Sequence, residues 1–125
     1  LPIGTQVPFH CTASGKLYLA SLRSDKFNRL LAALTLERHT AHTITDHAAL
    51  SAEIARTRSR DYATDDEEFM PDMVAIAVPL RDTEGRLLTT LSIHAPKQRH
   101  DVDSLVTQMP KLAEAAGRLE TLARS

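Results

Sequence analysis

The pattern of apolar and polar positions predicts helices in the first half of the chain. Partial alternation over Pro2–His10 suits a short strand. Thr12 then stands at an N-cap position, and the small and apolar residues after it predict a helix over Ala13–Leu22. Ser24 is placed to cap a second helix, whose four large apolar residues share one face: Phe27, Leu30, Leu31 and Leu34. Asp46 is placed to cap a third helix, which carries Leu50 and Ile54 one turn apart and ends in the arginines Arg56, Arg58 and Arg60.

The middle of the chain predicts a β-hairpin. A polar connection over Tyr62–Glu68 leads to the apolar, partly β-branched run Met73–Val78, which is typical of a buried strand. Asp82–Gly85 should turn the chain, since glycine accepts the positive φ that such a turn often needs. Leu87–His94 then returns as an antiparallel strand.

A long helix is predicted to close the chain, from a cap at Asp101 or Asp103 to about Ala123, with a bend at Pro110. Its apolar positions form a seam that packs either on the sheet of its own domain or on a partner helix: Leu105, Met109, Leu112, Ala116 and Leu119. Helices against an antiparallel sheet make an α+β fold.

Composition limits the class of protein. At roughly 100–200 residues per domain, 125 residues form one domain. Hydrophobic residues make up 42% and charged residues 25%, so a packed globular fold is expected. The net charge of -1 gives no excess of positive charge that would attract nucleic acid or an anionic membrane. The single cysteine, Cys11, cannot form an internal disulfide, which favours a reducing, cytoplasmic location. No apolar run approaches the ~20 residues of a membrane span, and no export sequence is expected.

Three stretches carry polar groups that could bind a ligand. On the second hairpin strand, alternation places Thr90, Ser92 and His94 on one face, which is either solvated or the floor of a polar pocket. The helix start at Thr12–Lys16 leaves backbone N–H groups open to a carboxylate, unless it is only a capped, closely packed helix with Lys16 in solvent. The acidic run Asp65–Glu68 is either a solvated loop or a loop that turns one carboxylate inward, beside a hydroxy- or keto-acid.

Metal and nucleophile chemistry receive less support. The six histidines and Cys11 show no strong metal-ligand spacing, and on a strand the adjacent His10 and Cys11 would point to opposite sides. We therefore expect no metal and no cofactor. A Ser/His/Asp arrangement is possible in composition, but Ser14 is not framed by a nucleophile-elbow motif.

Several short motifs together resemble one family. They are, in order, Pro8–Lys16, Leu19-Ala20, Thr40, Thr43-Ile44, Arg58–Ala63, Asp65–Glu68, Ala75–Asp82, Gly85 and Leu91–Ile93. This combination resembles the C-terminal effector-binding domain of IclR-type bacterial transcriptional regulators over nearly the whole chain. The resemblance implies a GAF-like α+β domain that binds a small organic acid, often carboxylic or aromatic, and signals to an N-terminal winged helix-turn-helix.

The resemblance also implies a set of pocket residues: Ala13, Ser14, Asp65, Ala75, Ser92 and His94. It implies that residues 1–125 form an effector-binding domain that lacks its first strands and carries no DNA-binding domain, and that the protein forms a homo-dimer or tetramer, contacts DNA only through the absent domain and does not bind a membrane. Asp61 and Asp72 each stand where the family usually has glycine, so we expect them to bear on the path of the loop over the pocket. His94 replaces a residue that is often small and polar, which should change the acid that fits.

Two other functions stay open at this point. A small hydrolase or isomerase could use Asp65, Ser92 and His94, which would then have to lie within hydrogen-bonding distance of one another. A pure oligomerisation module would have no pocket and no response to a ligand. Of the three, a sensor that binds without turnover is the leading hypothesis, and the chain is not expected to be an enzyme.

Overall fold

The computed structural model describes residues 8–124, in which five helices and three strands follow one another. The elements are α1 (Ala13–Ser21), α2 (Ser24–Ala33), α3 (His47–Arg60), β1 (Ala63–Asp66), β2 (Met73–Arg81), β3 (Leu87–Pro96), α4 (Val102–Val106) and α5 (Met109–Arg124). The predicted α+β class is confirmed.

The strands form an antiparallel sheet in the order β1-β2-β3. The predicted hairpin is present as β2 and β3, and Gly85 in its turn has a φ of 80°, which an L side chain rarely adopts. A register shift at Leu80/Arg81 marks an irregularity next to the turn.

The two faces of the sheet have different neighbours because their side chains differ in size. On one face, the large residues of β2 pack with Leu105, Leu112 and Ala116 of the closing helices. On the other face, the small Ala63, Ala75 and Ala77 pack against Ala13 and Leu17 of α1, so this helix lies directly on the sheet. A third cluster joins α1, α2 and α3.

Three of the predicted helix caps are confirmed, one of them at Asp101, which accepts a hydrogen bond from the N–H of Ser104 (2.8 Å) at the start of α4. Thr12 accepts a hydrogen bond from the N–H of Gly15 (3.0 Å), and Asp46 accepts one from the N–H of Ala49 (2.8 Å). The predicted cap at Ser24 is wrong, because Ser24 is the first helical residue of α2 and the preceding Arg23 makes no side-chain cap.

Three expectations about element boundaries need correction or lie in part outside the described residues. Residues 2–7 of the predicted first strand lie outside them, and at residues 9–12 the chain bends instead of forming a strand. The predicted polar connection contains β1, whose polar side chains alternate between buried and less buried positions. The closing helix is interrupted rather than bent: α4 ends at Val106, and α5 begins at Met109 with Pro110 in its first turn, where no donor is needed.

The apolar seam of the closing helices packs on the sheet of the same domain. Leu105, Leu112 and Ala116 are buried and Met109 is partly buried in that core. The last position of the seam, Leu119, is 41% exposed.

The two aspartates that stand where the resemblance implies glycine both adopt a left-handed backbone. Asp61 has a φ of 62° and ends α3, and Asp72 has a φ of 64° immediately before β2. Aspartate tolerates this region better than most residues with a side chain. The chain therefore keeps a glycine-like path at both positions.

Candidate functional site

Strand pairing brings four of the predicted pocket residues onto one face of the sheet. Asp65 on β1 lies opposite Ala75 on β2, which in turn lies opposite His94 on β3. Ala77 lies opposite Ser92 one step along the same face, since side chains alternate between faces with a period of two. Asp65 and Ala75 are buried, Ser92 is partly buried and His94 is exposed.

The other two predicted residues begin the helix that lies on this face. Ala13 is buried in the same small cluster as Ala75, and Ser14 follows it with partial exposure. Thr12 donates to the carbonyl of Pro8 (2.7 Å) while its hydroxyl accepts from Gly15. Within residues 8–124 the backbone N–H groups of Ala13 and Ser14 have no hydrogen-bond acceptor. These two donors at the positive end of α1 can receive an anion.

Lys16 is not a solvated charge, as one reading of the sequence had it, but is completely buried. Its Nζ lies 2.9 Å from Oε2 of Glu53, 2.7 Å from Oε1 of Glu68 and 2.7 Å from the carbonyl of Thr64. Glu53 Oε2 and the Thr64 carbonyl accept hydrogen bonds from the ammonium group, whereas Glu68 Oε1 makes an ion pair with it without a hydrogen bond. Lys16 therefore joins α1, α3, β1 and the acidic loop.

The acidic run folds back on itself beside this lysine. Asp65 Oδ1 accepts from the N–H of Glu68 (2.8 Å), and Glu68 Oε2 accepts from the N–H of Asp66 (3.0 Å). Asp65 and Glu68 are buried, whereas Asp66 is exposed. The run is thus not a fully solvated loop, and Asp65 is a carboxylate turned into the domain.

The environment of Asp65 makes it easy to protonate. Burial raises its pKa from 3.8 to about 6, and the nearby Glu68 carboxylate also raises it, against the lowering effect of Lys16 and of backbone hydrogen bonds. A carboxyl group with this pKa can share a proton with a bound acid near neutral pH.

Asp65, Ser92 and His94 do not form the arrangement that an acid–base enzyme needs. Neighbouring strands lie about 4.8 Å apart, so Asp65 and His94, which are separated by Ala75, belong to strands about 10 Å apart. Among residues 8–124 no hydrogen bond joins these three side chains. Burial and nearby carboxylates raise the pKa of Cys11 to about 12, so it is a neutral thiol rather than a nucleophile at pH 7.

A cavity of about 450 Å³ lies elsewhere, and sequence reasoning did not anticipate it. It lies between the segment before α1, the segment after α2 and Phe69, and its walls include His10, Glu37 and His39. None of the six predicted pocket residues lines it. The histidines were visible in the sequence, but nothing in their spacing indicated that His10 and His39 would meet.

None of the helices in residues 8–124 is long and apolar enough to cross a membrane.

Comparison with known proteins identifies the family. Residues 1–121 match the model of the bacterial transcriptional regulator IclR C-terminal domain. The chain is 42% identical over 116 residues to "Probable transcriptional regulator SauR" of Cupriavidus necator, covering 93% of this chain and 46% of SauR. It is 36% identical over 118 residues to the HTH-type transcriptional regulator BhcR of Paracoccus denitrificans, covering 94% of this chain and 42% of BhcR.

A solved structure supports the same assignment. The inducer-binding domain of a double mutant of the PobR transcription factor from Acinetobacter, in complex with 3-hydroxybenzoic acid, is 29% identical and superposes with a TM-score of 0.88. The match covers 95% of this chain and 69% of that one. The fold and the matched sequence define a regulatory domain of a bacterial transcription factor. The chain belongs to the IclR C-terminal domain family, and it spans about half the length of the curated relatives that it matches.

Proposed function

We propose that this chain is the ligand-sensing part of an IclR-type transcriptional regulator and that it binds a small organic acid between the start of α1 and the polar sheet face. The observation that carries the proposal is the pairing of Asp65, Ala75 and His94 across the three strands. These residues lie on the sheet face that α1 covers. A relative of the same fold is an inducer-binding domain that holds a hydroxybenzoic acid.

Each residue of this surface has a distinct role in the proposal. The open N–H groups of Ala13 and Ser14 receive the carboxylate, because they carry partial positive charge at the helix start. Ser92 and His94 orient the acid through hydrogen bonds. Asp65 accepts from a hydroxyl of the ligand or shares a proton with it, and Ala75, which lies between Asp65 and His94 in the sheet, contributes an apolar contact.

Binding at this surface would affect the rest of the regulator through a change in conformational equilibrium. A ligand shifts a conformational equilibrium only if it binds one state more tightly, and the contacts between α1 and the sheet provide a place where two states can differ. DNA binding would come from the helix-turn-helix part of the protein, as the name of the HTH-type relative indicates for that protein. The sensor is proposed to bind its acid without consuming it.

The first experiment is a thermal-shift comparison of the chain with keto-acids, hydroxy-acids and hydroxybenzoates, followed by recovery of the ligand. Saturation at 100 times Kd stabilises the native state by about 2.7 kcal/mol, which raises Tm by roughly 10 °C for a domain of this size. A shift with one chemical class and an unchanged ligand supports the sensor. Consumption of the ligand would instead support the hydrolase or isomerase alternative, and a folded chain with no response to any acid would contradict the proposal.

Two pairs of variants locate the acid on the proposed surface. His94→Ala should weaken binding without unfolding the chain, because His94 is exposed, while Thr89→Ala, an exposed position on the opposite face of the same strand, should leave the Kd unchanged. Ser14→Leu should block the start of α1, while Ser21→Leu at the exposed end of the same helix should not. Equal Kd values within either pair, measured by calorimetry, would remove that residue from the site.

Self-association is part of the proposal, with a second copy of the chain as the partner. The last two turns of α5 expose Leu119 (41%) and Leu122 (68%), beyond the point where the helix packs on the sheet. Burying these leucines against another copy removes apolar surface from water. Light scattering should report a dimer or larger assembly that Leu122→Lys dissociates, and a monomer at all concentrations would reject this part.

A further inference from the structure

Three side chains that can bind a transition metal meet beside the cavity of about 450 Å³. They belong to His10 and Cys11, immediately before α1, and to His39, in the segment between α2 and α3. One potential ligand atom from each lies within 4.8 Å of the other two. The adjacent His10 and Cys11 contribute together because the chain bends at these residues instead of running as a strand.

The spacing of these atoms is close to that of a metal site. With Zn–N bonds of about 2.0–2.1 Å and a Zn–S bond of about 2.3 Å, tetrahedral ligands lie roughly 3.4–3.7 Å apart. The three atoms would have to approach one another by only about 1 Å. His39 is exposed, so its ring can make this movement without disturbing the core.

The hydrogen bond of His10 leaves the correct kind of nitrogen for a metal. Its Nε2 lies 2.8 Å from the carbonyl oxygen of Glu37, which can only accept. In the neutral imidazole Nε2 therefore carries the proton, and the lone pair lies on Nδ1. A backbone carbonyl that holds the second nitrogen is the usual partner of a histidine that ligates a metal.

The donor set favours a borderline cation. Cys11 is a neutral thiol in the metal-free chain, and metal binding displaces its proton. The resulting thiolate and two imidazoles suit Zn²⁺, whereas Mg²⁺ and Ca²⁺ prefer oxygen ligands.

We propose that His10, Cys11 and His39 form a three-ligand Zn²⁺ site whose fourth position opens into the cavity. Two of the ligands, His10 and His39, are also part of the cavity wall, so a water molecule or a small anion in the cavity can complete the tetrahedron. This site is separate from the proposed acid-binding surface, and its test requires no organic acid.

The test is a titration of the metal-free chain with Co²⁺, followed by displacement with Zn²⁺. Because Cys11 is the only cysteine in the sequence, a thiolate-to-cobalt charge-transfer band reports coordination by that residue. We expect one Co²⁺ per chain, with visible d–d bands of tetrahedral geometry that Zn²⁺ abolishes. Cys11→Ser should remove the charge-transfer band.

His39→Gln should weaken Co²⁺ binding by about tenfold or more, and the fold should survive because His39 is exposed. The matched control is His42→Gln, an exposed histidine three residues further along that lies outside the cluster, and its affinity should be unchanged. Absence of a thiolate band at stoichiometric Co²⁺ overturns the proposal. Equal affinities of the His39→Gln variant and the unchanged chain, with the fold verified by circular dichroism, overturn it as well.

Discussion

Replacement of Lys16 by methionine tests whether the buried lysine stabilises the contacts between α1, α3 and β1. Methionine keeps most of the side-chain volume but removes the ammonium group. The change leaves Glu53 and Glu68 without the cation that lies 2.9 and 2.7 Å from their oxygens, and it leaves the Thr64 carbonyl without its donor. Loss of one partner of a buried ion pair costs about 3–5 kcal/mol when the remaining charge stays buried and uncompensated, which applies here to Glu68, because Glu53 keeps Arg56 at 2.9 Å.

The cost should depend on pH in a defined direction. Burial acts to raise the pKa of Glu53, but the charge and hydrogen bond of Lys16, together with the hydrogen bond of Arg56, lower it below its ordinary 4.5. A lowered pKa means that the stabilisation is present at pH 7 and is lost as the pH falls through the folded pKa. Without Lys16 the buried carboxylate of Glu53 takes up a proton more readily, so the loss of stability should be smaller at pH 5 than at pH 7.

The measurement is urea denaturation followed by far-UV circular dichroism, since the chain has no tryptophan. Lys26→Met, the same change at an exposed lysine of α2, serves as the control and should alter the free energy of unfolding by less than about 0.5 kcal/mol. A loss below about 1 kcal/mol for Lys16→Met, or an equal loss at pH 5 and pH 7, would refute the reasoning.

Three further predictions, made with five substitutions, test single features of the fold. The pKa of Asp65 is raised from 3.8 to about 6, so its contribution to stability is fully present below pH 3.8 and is lost as the pH rises through 6. The free energy of unfolding of Asp65→Asn, relative to that of the wild type, should therefore increase by up to about 3 kcal/mol between pH 4 and pH 8. A difference between the two that does not change with pH would contradict this. Gly15→Ala should destabilise the domain by about 1–3 kcal/mol, because a Cβ would lie 2.5 Å from the carbonyl oxygen of Pro8. Gly117→Ala should stabilise it by about 0.5–1 kcal/mol, because a Cβ there meets no atom within 4 Å. Denaturation midpoints that move in the same direction for both variants would contradict this pair of predictions. The left-handed backbone at Asp72 costs a residue with a side chain about 1 kcal/mol. Asp72→Gly should therefore raise Tm, whereas Asp72→Ala should not.

The elements that the sequence predicted correctly are those with local signals. Thr12 and Asp46 sit directly before helices whose first turns they cap, and each forms the expected hydrogen bond within three residues. The hairpin has an apolar run, a turn with glycine and an alternating return strand, all within about 25 residues. Each signal concerns neighbours in the chain, so no knowledge of the tertiary fold was needed.

The elements that the sequence missed depend on distant contacts. β1 is short and polar, and Asp65 and Asp66 discourage a strand assignment on propensity alone. The strand exists because Ala63 and Asp65 pair with Ala77 and Ala75 of β2. The burial of Lys16 has the same origin, since its acceptors come from α3, β1 and the acidic loop.

The same distinction explains how far each candidate site could be foreseen. Ser92 and His94 share a face by alternation alone, but Asp65 reaches that face only through the pairing of β1, and Ala13 only because the alanines of the sheet let α1 approach closely. The resemblance to the family therefore supplied what periodicity could not. Neither periodicity nor the family resemblance indicated the cluster of His10, Cys11 and His39. A bend before α1 brings the first two side chains together, and His39 lies 28 residues after Cys11 in the chain. A spacing rule for metal ligands assumes a regular helix, strand or knuckle between them. It fails where the ligands are brought together by an irregular segment, and for that reason the metal titration tests a property that only the folded chain reveals.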